Sequence, residues 1–427
     1  MKKIWKWTLL IVFISLAGLF ALSNLISLKA DLQYEILIED SVRSEHFEKI
    51  LGQLMGPYFV DGNIVLTLKN GNEIFPAMLK AIAQAKKTIT FESYIYWSGD
   101  IGNKFVEALC ERAKSGVKVH VLLDWVGSQK IDPDYILRML NAGIEIERYH
   151  QPAWYNLSRL NNRTHRKILV IDGMVGFTGG VGIADEWNGD GLDPKKWRDT
   201  HYEVHGPVVA QMQAAFLYNW MKLRPEIHHS TDYFPKHLPD LKNRGAVAQM
   251  FNSSSGEGST SIQIMYLMAI AAAQKSIILE GAYFVPDETA IKELIKARQR
   301  GVRIEIIVPG ELGDAKIARR ASQKNWEELL EAGIQIYEYL PAMFHCKVLV
   351  VDDFFVSIGS TNFDERSFKL NDEANLNVLD EDLAKVQMSM FEEDKGRSRI
   401  VNLEQWKLRP WYDRLIEKFA GLGSSQL

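Results

Sequence analysis

At 427 residues, 47% hydrophobic and 24% charged, the chain has the composition of a globular protein long enough for two or three domains. Its net charge of −4 argues against broad electrostatic capture of nucleic acid, which needs clustered Lys and Arg. Two cysteines, Cys110 and Cys346, make no disulfide framework.

The N-terminus stands apart from the rest. Lys2, Lys3 and Lys6 surround Trp5 and Trp7, and no charge interrupts Thr8 to Leu28. At ~1.5 Å per residue this run crosses a hydrocarbon core of ~30 Å once. A cleaved signal peptide has a shorter apolar stretch, about 7–15 residues, and a small-x-small exit that is not evident here. The expectation is therefore a retained anchor over residues 1–34. Lysines before the span outnumber those just after it, which places the N-terminus in the cytoplasm and the body outside.

The body is written twice. Lys87 to Tyr94 alternates as a strand, a helical pattern covers Ile101 to Ala113, and Gly116 opens a second strand through Leu123. The later copy offers a strand from Lys275 to Tyr283, a helix from Thr289 to Arg298 and a strand from Gly301 to Val308. Leu-Asn-Ala-Gly-Ile at 140–144 matches Leu-Glu-Ala-Gly-Ile at 330–334. Strand and helix alternating with glycine at the helix ends means α/β units with crossover connections. The expected division is 35–240 and 241–427, joined by a polar connector near Leu238 to Ala246.

Each copy then reaches the same short signature. His165-Arg166-Lys167 runs through four aliphatic residues to Asp172, and His345-Cys346-Lys347 runs likewise to Asp352. On a strand, His and Lys two apart face the same way, so Cys346 between them points away and reads as a core residue. Two imidazoles can share attack on a phosphate diester and protonation of the departing alkoxide. Lys167 and Lys347 can offset charge on the non-bridging oxygens, so no metal or other cofactor is required. After the second aspartate comes Gly359-Ser360-Thr361-Asn362, where Ser360 and Asn362 can donate to phosphate. The first turn, Gly179-Gly180-Val181-Gly182, lacks both side-chain donors.

The doubled His-x-Lys-x4-Asp with Gly-Ser-x-Asn resembles the phospholipase D superfamily. Gly179-Gly180 with Asp185-Glu186-Trp187, the segment Trp197 to His201 before Gly206-Pro207, and Arg366 to Glu373 are similar to bacterial cardiolipin synthases. The resemblance runs from about Gly71 to Trp411. It implies two tandem phospholipase D-like α/β units about a pseudo-twofold axis in a protein of the bacterial cell membrane, in keeping with the one transmembrane helix read at the N-terminus. It also implies that His165 is the nucleophile, forming a phosphohistidine, and that His345 is the general acid and later base. Lys167, Lys347, Ser360 and Asn362 would cradle phosphate. Asp172 and Asp352, counted with the catalytic set, would brace the motif rather than touch substrate. Asp199 and Glu373 either orient the imidazoles or form surface ion pairs. Gly182 departs from the family, which usually has Asn there, and so does the single expected span where relatives often carry two.

Three further segments are open to two readings each. His201 and His205 alternate along a strand and read as structural rather than catalytic. The stretch Tyr149 to Arg163, with Pro152, Trp154, Tyr155, Leu157 and Leu160, is either a lipid-facing loop or core. Arg409 to Phe419 can form an amphipathic helix lying on the protein or at the bilayer. The leading expectation is condensation of two phosphatidylglycerol molecules to cardiolipin and glycerol, with membrane lipids and the bilayer as partners. Hydrolytic phospholipase D or head-group transfer is the alternative. A nuclease of the same fold would want a basic groove, and a non-catalytic lipid-binding scaffold would not need two intact motifs.

Overall fold

The computed structural model describes residues 36–38, 40–151, 161–226, 228–236, 245–254, 260–313 and 316–421, with 5–8, 11–13, 15 and 18 near the N-terminus. Most of the expected anchor, the loop 152–160 and the connector 237–244 lie outside the described residues. Among the described residues no helix is long and apolar enough to cross a membrane.

The first half supplies β1 (Val60–Lys69), β2 (Thr88–Ser93), β3 (Lys118–Asp124), β4 (Glu145–Tyr149), β5 (Arg163–Thr164), β6 (Ile168–Ile171), β7 (Val175–Gly179), β8 (Trp197–Arg198) and β9 (Thr200–His205). The second supplies β10 (Ala246–Asn252), β11 (Ser276–Gly281), β12 (Phe284–Val285), β13 (Arg303–Pro309), β14 (Gln335–Tyr339), β15 (Met343–Phe344), β16 (Lys347–Val351), β17 (Phe355–Gly359), β18 (Phe363–Asp364), β19 (Asn371–Asp372), β20 (Ala374–Leu379) and β21 (Ser398–Ile400). Among the described residues one 15-stranded sheet runs β4-β3-β2-β6-β7-β9-β1, then β10-β20-β17-β16-β11-β13-β14-β21. Apart from β21, the order mirrors itself about the β1–β10 pair. The repeat read in the sequence is thus a repeat in space.

Within each half, β2, β3 and β4 (and β11, β13 and β14) run parallel. Helices Asp100–Lys114 and Pro133–Asn141 make the crossovers in one half, and Glu288–Gln299 serves in the other. The motif strands β6 and β16 enter antiparallel, beside β2 and β11. They are followed by tight hairpins to β7 and β17. Their aliphatic residues are all buried, as a strand covered on both faces requires. Ile168 and Val170 share one apolar cluster with Val348, Val350 and Leu376, so the core is continuous across the two halves.

One element breaks the sequence division at residue 240. The helix Glu45–Met55, expected with the first half, packs on the second. Phe47 meets the Phe355 ring edge-on at 5.8 Å, and Val42, Phe47 and Leu51 join the cluster of Leu349, Val351 and Phe355. Arg43 binds Glu381 at 2.6 Å. An amphipathic helix goes wherever its apolar stripe is buried best, and chain order does not decide that.

Candidate active site

Each histidine is delivered to the site by a contact with the opposite half. β5 pairs with β19, and the His165 amide donates to the Asp372 carbonyl at 2.9 Å. β8 pairs with β15, and the His345 amide donates to the Arg198 carbonyl at 2.7 Å. The rings follow the same rule. His165 Nδ1 lies 3.0 Å from both carboxylate oxygens of Glu373, and His345 Nδ1 lies 2.7 Å from Asp199 Oδ2. A carboxylate only accepts, so the Nδ1 facing it carries the proton in each ring, which in His165 turns Nε2 to the chemistry. Of the two readings open for these acids, orientation of an imidazole is the one the geometry matches, and each acid serves the other half's histidine.

Both motif histidines meet around one cavity of about 520 Å³, lined by His165, Lys167, His345 and Asn362 together with Tyr94, Trp97, Lys130, Arg163, Trp197, Tyr283 and Arg366; Lys347 stands just behind the His345 ring. Lys167 and Lys347 each donate back to the carbonyl of their own histidine at 2.7 Å. Lys347 also lies 3.1 and 3.2 Å from the two ring nitrogens of His345. The rings are wedged by aromatics: Tyr94 is 5.0 Å from His165, and Trp197 and Trp187 are 5.0 and 5.4 Å from His345.

Burial sets the charges. It holds the His165 imidazole down at about 4, against the pull of Glu373 and with Lys167 and Lys347 adding to it. His165 is therefore neutral near pH 7. Burial, and after it the Lys347 charge, bring Lys167 down to about 7. Burial also pushes up on Asp199 and Glu373. Each nevertheless lies below its usual range, because the histidine it holds and the nearby lysines outweigh that cost.

The remaining expected residues divide. Asn362 lines the cavity, and its amide oxygen has no protein partner. Ser360 does not line it; its hydroxyl donates to Glu373 Oε2 at 2.5 Å and accepts the Ala374 amide at 3.0 Å. It is a support for the glutamate, which removes it from the phosphate-contacting set. Asp172 and Asp352 are absent from the cavity lining and stand at the far ends of β6 and β16. Asp172 accepts the amides of Lys86, Lys87 and Thr88, and Asp352 those of Gln274, Lys275 and Ser276. Both sit at positive φ, 52° and 53°, a conformation a short acceptor side chain tolerates. They tie the motif hairpin to the start of the neighbouring strand, as braces.

The glycines of the first turn have a steric cause. A Cβ on Gly182 would stand 2.8 Å from Ile95 Cβ, and one on Gly180 2.2 Å from Asp199 Oδ1. Asp199 is one methylene shorter than Glu373 and fills the room that Ser360 takes in the other half. Sequence reasoning overlooked Arg198, Arg166 and Trp187. Arg166 is fully buried and donates to the carbonyls of Glu373, Ala215 and Ser253. Trp187 Nε1 donates to Asp199 Oδ2 at 2.9 Å. For Arg166 the available signal was an arginine between the motif histidine and lysine, where the second copy has Cys346. His201 is buried with neither ring nitrogen bonded, and His205 pairs with Glu203 at 2.8 Å on the same strand.

A sequence profile of the family described as "Cardiolipin synthase, PLD-like domain" matches residues 78–190 and 266–395. The major cardiolipin synthase ClsA of Bacillus subtilis is 34% identical over 368 residues, covering 85% of this chain and 75% of the relative. The chain belongs to the cardiolipin synthase family of phospholipase D-like proteins. Cardiolipin synthase 1 of Bacillus anthracis is 33% identical, covering 93% of this chain and 79% of its own. The fold is shared with the crystal structure of phosphatidylserine synthase from Haemophilus influenzae, at a TM-score of 0.65 and 15% identity over 89% of this chain and 100% of that one.

Within this family member the crossed acids give a direct test. Glu373→Gln keeps the shape and removes the charge that steadies an imidazolium, so kcat should fall about 10²-fold with KM little changed. Asp199→Asn should behave alike through His345. Steady-state kinetics on the two variants check this, and a loss confined to KM would count against an orienting role.

Proposed function

We propose that the chain is a membrane-bound phosphatidyltransferase that condenses two phosphatidylglycerol molecules into cardiolipin and glycerol. The observation that carries this reading is both motif histidines on one cavity, with Lys167 on its wall and Lys347 against the His345 ring, in a chain matching cardiolipin synthases over most of its length. His165 Nε2, neutral and free to attack, bonds to the phosphorus of one lipid. The bond from phosphorus to the glycerol head group breaks, and His345 protonates the departing alkoxide. The head-group hydroxyl of a second lipid then attacks the phosphohistidine, His345 takes its proton, and the P–N bond breaks. Lys167, Lys347 and Asn362 meet the non-bridging oxygens. Arg163 and Arg366, farther along the same wall, suit the second lipid's own phosphate. Transfer outruns hydrolysis only if water is kept from the phosphoenzyme, and the Trp97, Trp197, Tyr94 and Tyr283 rings fit that need. The segment before residue 35 would anchor the body to the cell membrane, on the outer face by its lysines.

Phosphatidylglycerol alone, incubated with the purified protein and EDTA, should yield cardiolipin and glycerol in equal amounts by mass spectrometry. Phosphatidic acid as the main product would move the reading to hydrolysis. Absence of product until a divalent ion is added would end the metal-free scheme.

The pH profile carries its own expectation. Lys167 is a cation below about 7 and neutral above it, so kcat/KM should decline as pH rises through 7. Protonation of His165 limits the acid side only near 4. Lys167→Arg keeps its charge throughout and should move the alkaline limb upward; an unmoved limb would assign it to another group.

A further inference from the structure

The helix Trp411–Gly421 lies on the body with the wrong side out. Glu417 on it is buried and ion-paired to Arg409, and Arg320 of the helix beneath (Lys316–Gln323) reaches Asp413 at 3.4 Å. These polar contacts hold the inner face. The outer face shows Trp411, Tyr412, Leu415, Ile416 and Phe419, exposed by 72, 53, 44, 49 and 70%. Their spacing of i, i+1, i+4, i+5 and i+8 makes one continuous stripe on a helix. A soluble helix normally turns that stripe inward, and a contiguous exposed apolar patch marks a surface meant to be covered.

The geometry points to an anionic lipid bilayer as the cover: this helix is a second membrane contact that sets the body against the surface holding its substrate. Charge favours this occupant. Both acids of the helix turn toward the protein, while Arg414 and Lys418 remain exposed beside the stripe. Aromatic rings among aliphatics, with cations at their margin, are the chemistry of a helix lying in the head-group region. Position favours it too. The helix Lys316–Gln323 beneath packs around the same recess as Tyr283 and Met343, and Tyr283 lines the catalytic cavity. The inference deepens the proposed function and rests on its reading of the substrates as membrane lipids.

The test places a polarity-sensitive fluorophore on Phe419→Cys in the full chain; Cys110 and Cys346 are buried, so labelling is selective. In vesicles containing phosphatidylglycerol, the probe should be quenched by nitroxide-bearing lipid and shielded from aqueous iodide. Equal access to iodide with and without vesicles overturns the proposal. So does shielding in detergent that grows with protein concentration, which would mean a second copy. Shielding in detergent at every concentration also overturns it, as cover by another segment of this chain. Leu415→Gln/Ile416→Gln/Phe419→Gln alters exposed positions only. It should lower turnover of vesicle lipid about tenfold and leave turnover of monomeric short-chain phosphatidylglycerol unchanged; equal loss on both would overturn the proposal. The fluorescence readout needs no catalysis, so insertion without product formation would sink the proposed reaction and leave the docking helix standing.

Discussion

With His165→Ala, enzyme phosphatidylation should vanish for every diester offered, whereas His345→Ala should still phosphatidylate itself when the leaving group is acidic. The asymmetry follows from the two rings' surroundings. Burial keeps His165 neutral near pH 7, which is the state a nucleophile needs, and Glu373 waits to steady the cation formed on bonding to phosphorus. The natural leaving group is a glycerol alkoxide that cannot depart unprotonated, so both variants should lose at least about 10⁴-fold on phosphatidylglycerol. Replacing glycerol by p-nitrophenol removes the need for a proton. His345→Ala should then release a burst of nitrophenol equal to the enzyme present, followed by slow turnover, because the acceptor hydroxyl lacks its base. Trapped protein should carry a phosphatidyl group on the peptide containing His165. A burst from His165→Ala and none from His345→Ala would reverse the two roles.

The sequence made the repeat legible because each copy carries its own periodicity. The strand read at Lys87 to Tyr94 spans Thr88–Ser93, and the helix read at Thr289 to Arg298 spans Glu288–Gln299. The place of each motif aspartate at the end of an aliphatic run was legible, and there Asp172 and Asp352 accept the amides that open the neighbouring strand. What spacing could not show is which copy partners which. Glu373 reaches His165 across 208 positions and Asp199 reaches His345 across 146, and a duplicated pattern is equally compatible with contacts within or between copies. Ser360 was misread for a related reason. A serine beside a phosphate site and one beneath a glutamate look alike until the carboxylate is placed. Arg409 to Phe419 read correctly as amphipathic, but its hydrophobic pattern alone could not say that ion pairs, not apolar contacts, hold it down.

Removal of the Asp394 carboxylate should be the most damaging single change outside the cavity. Arg198 is buried, and its guanidinium meets Asp394 through Nε at 3.0 Å and Nη2 at 2.7 Å. Its Nη1 also donates to the Asp199 carbonyl at 2.8 Å, and its own carbonyl holds the His345 amide. One ion pair thus joins the helix Glu381–Lys395 of the second half to the β8 strand that leads directly into Asp199, the acid for His345. Asp394→Ala strips the buried guanidinium of its hydrogen-bonded counter-charge and leaves only the Glu280 carboxyl near it, a cost of about 3–5 kcal/mol. The urea midpoint should fall accordingly, and activity should fall with it as Asp199 loses its register against His345. Asp394→Leu combined with Arg198→Met should recover most of the stability, since an apolar pair of similar volume replaces a buried ion pair at little net cost. Activity should return only in part, because Asp199 would still lack the Nη1 bond to its carbonyl. Equal recovery of both would mean that the pair holds the lobes together and has no part in aiming the imidazole.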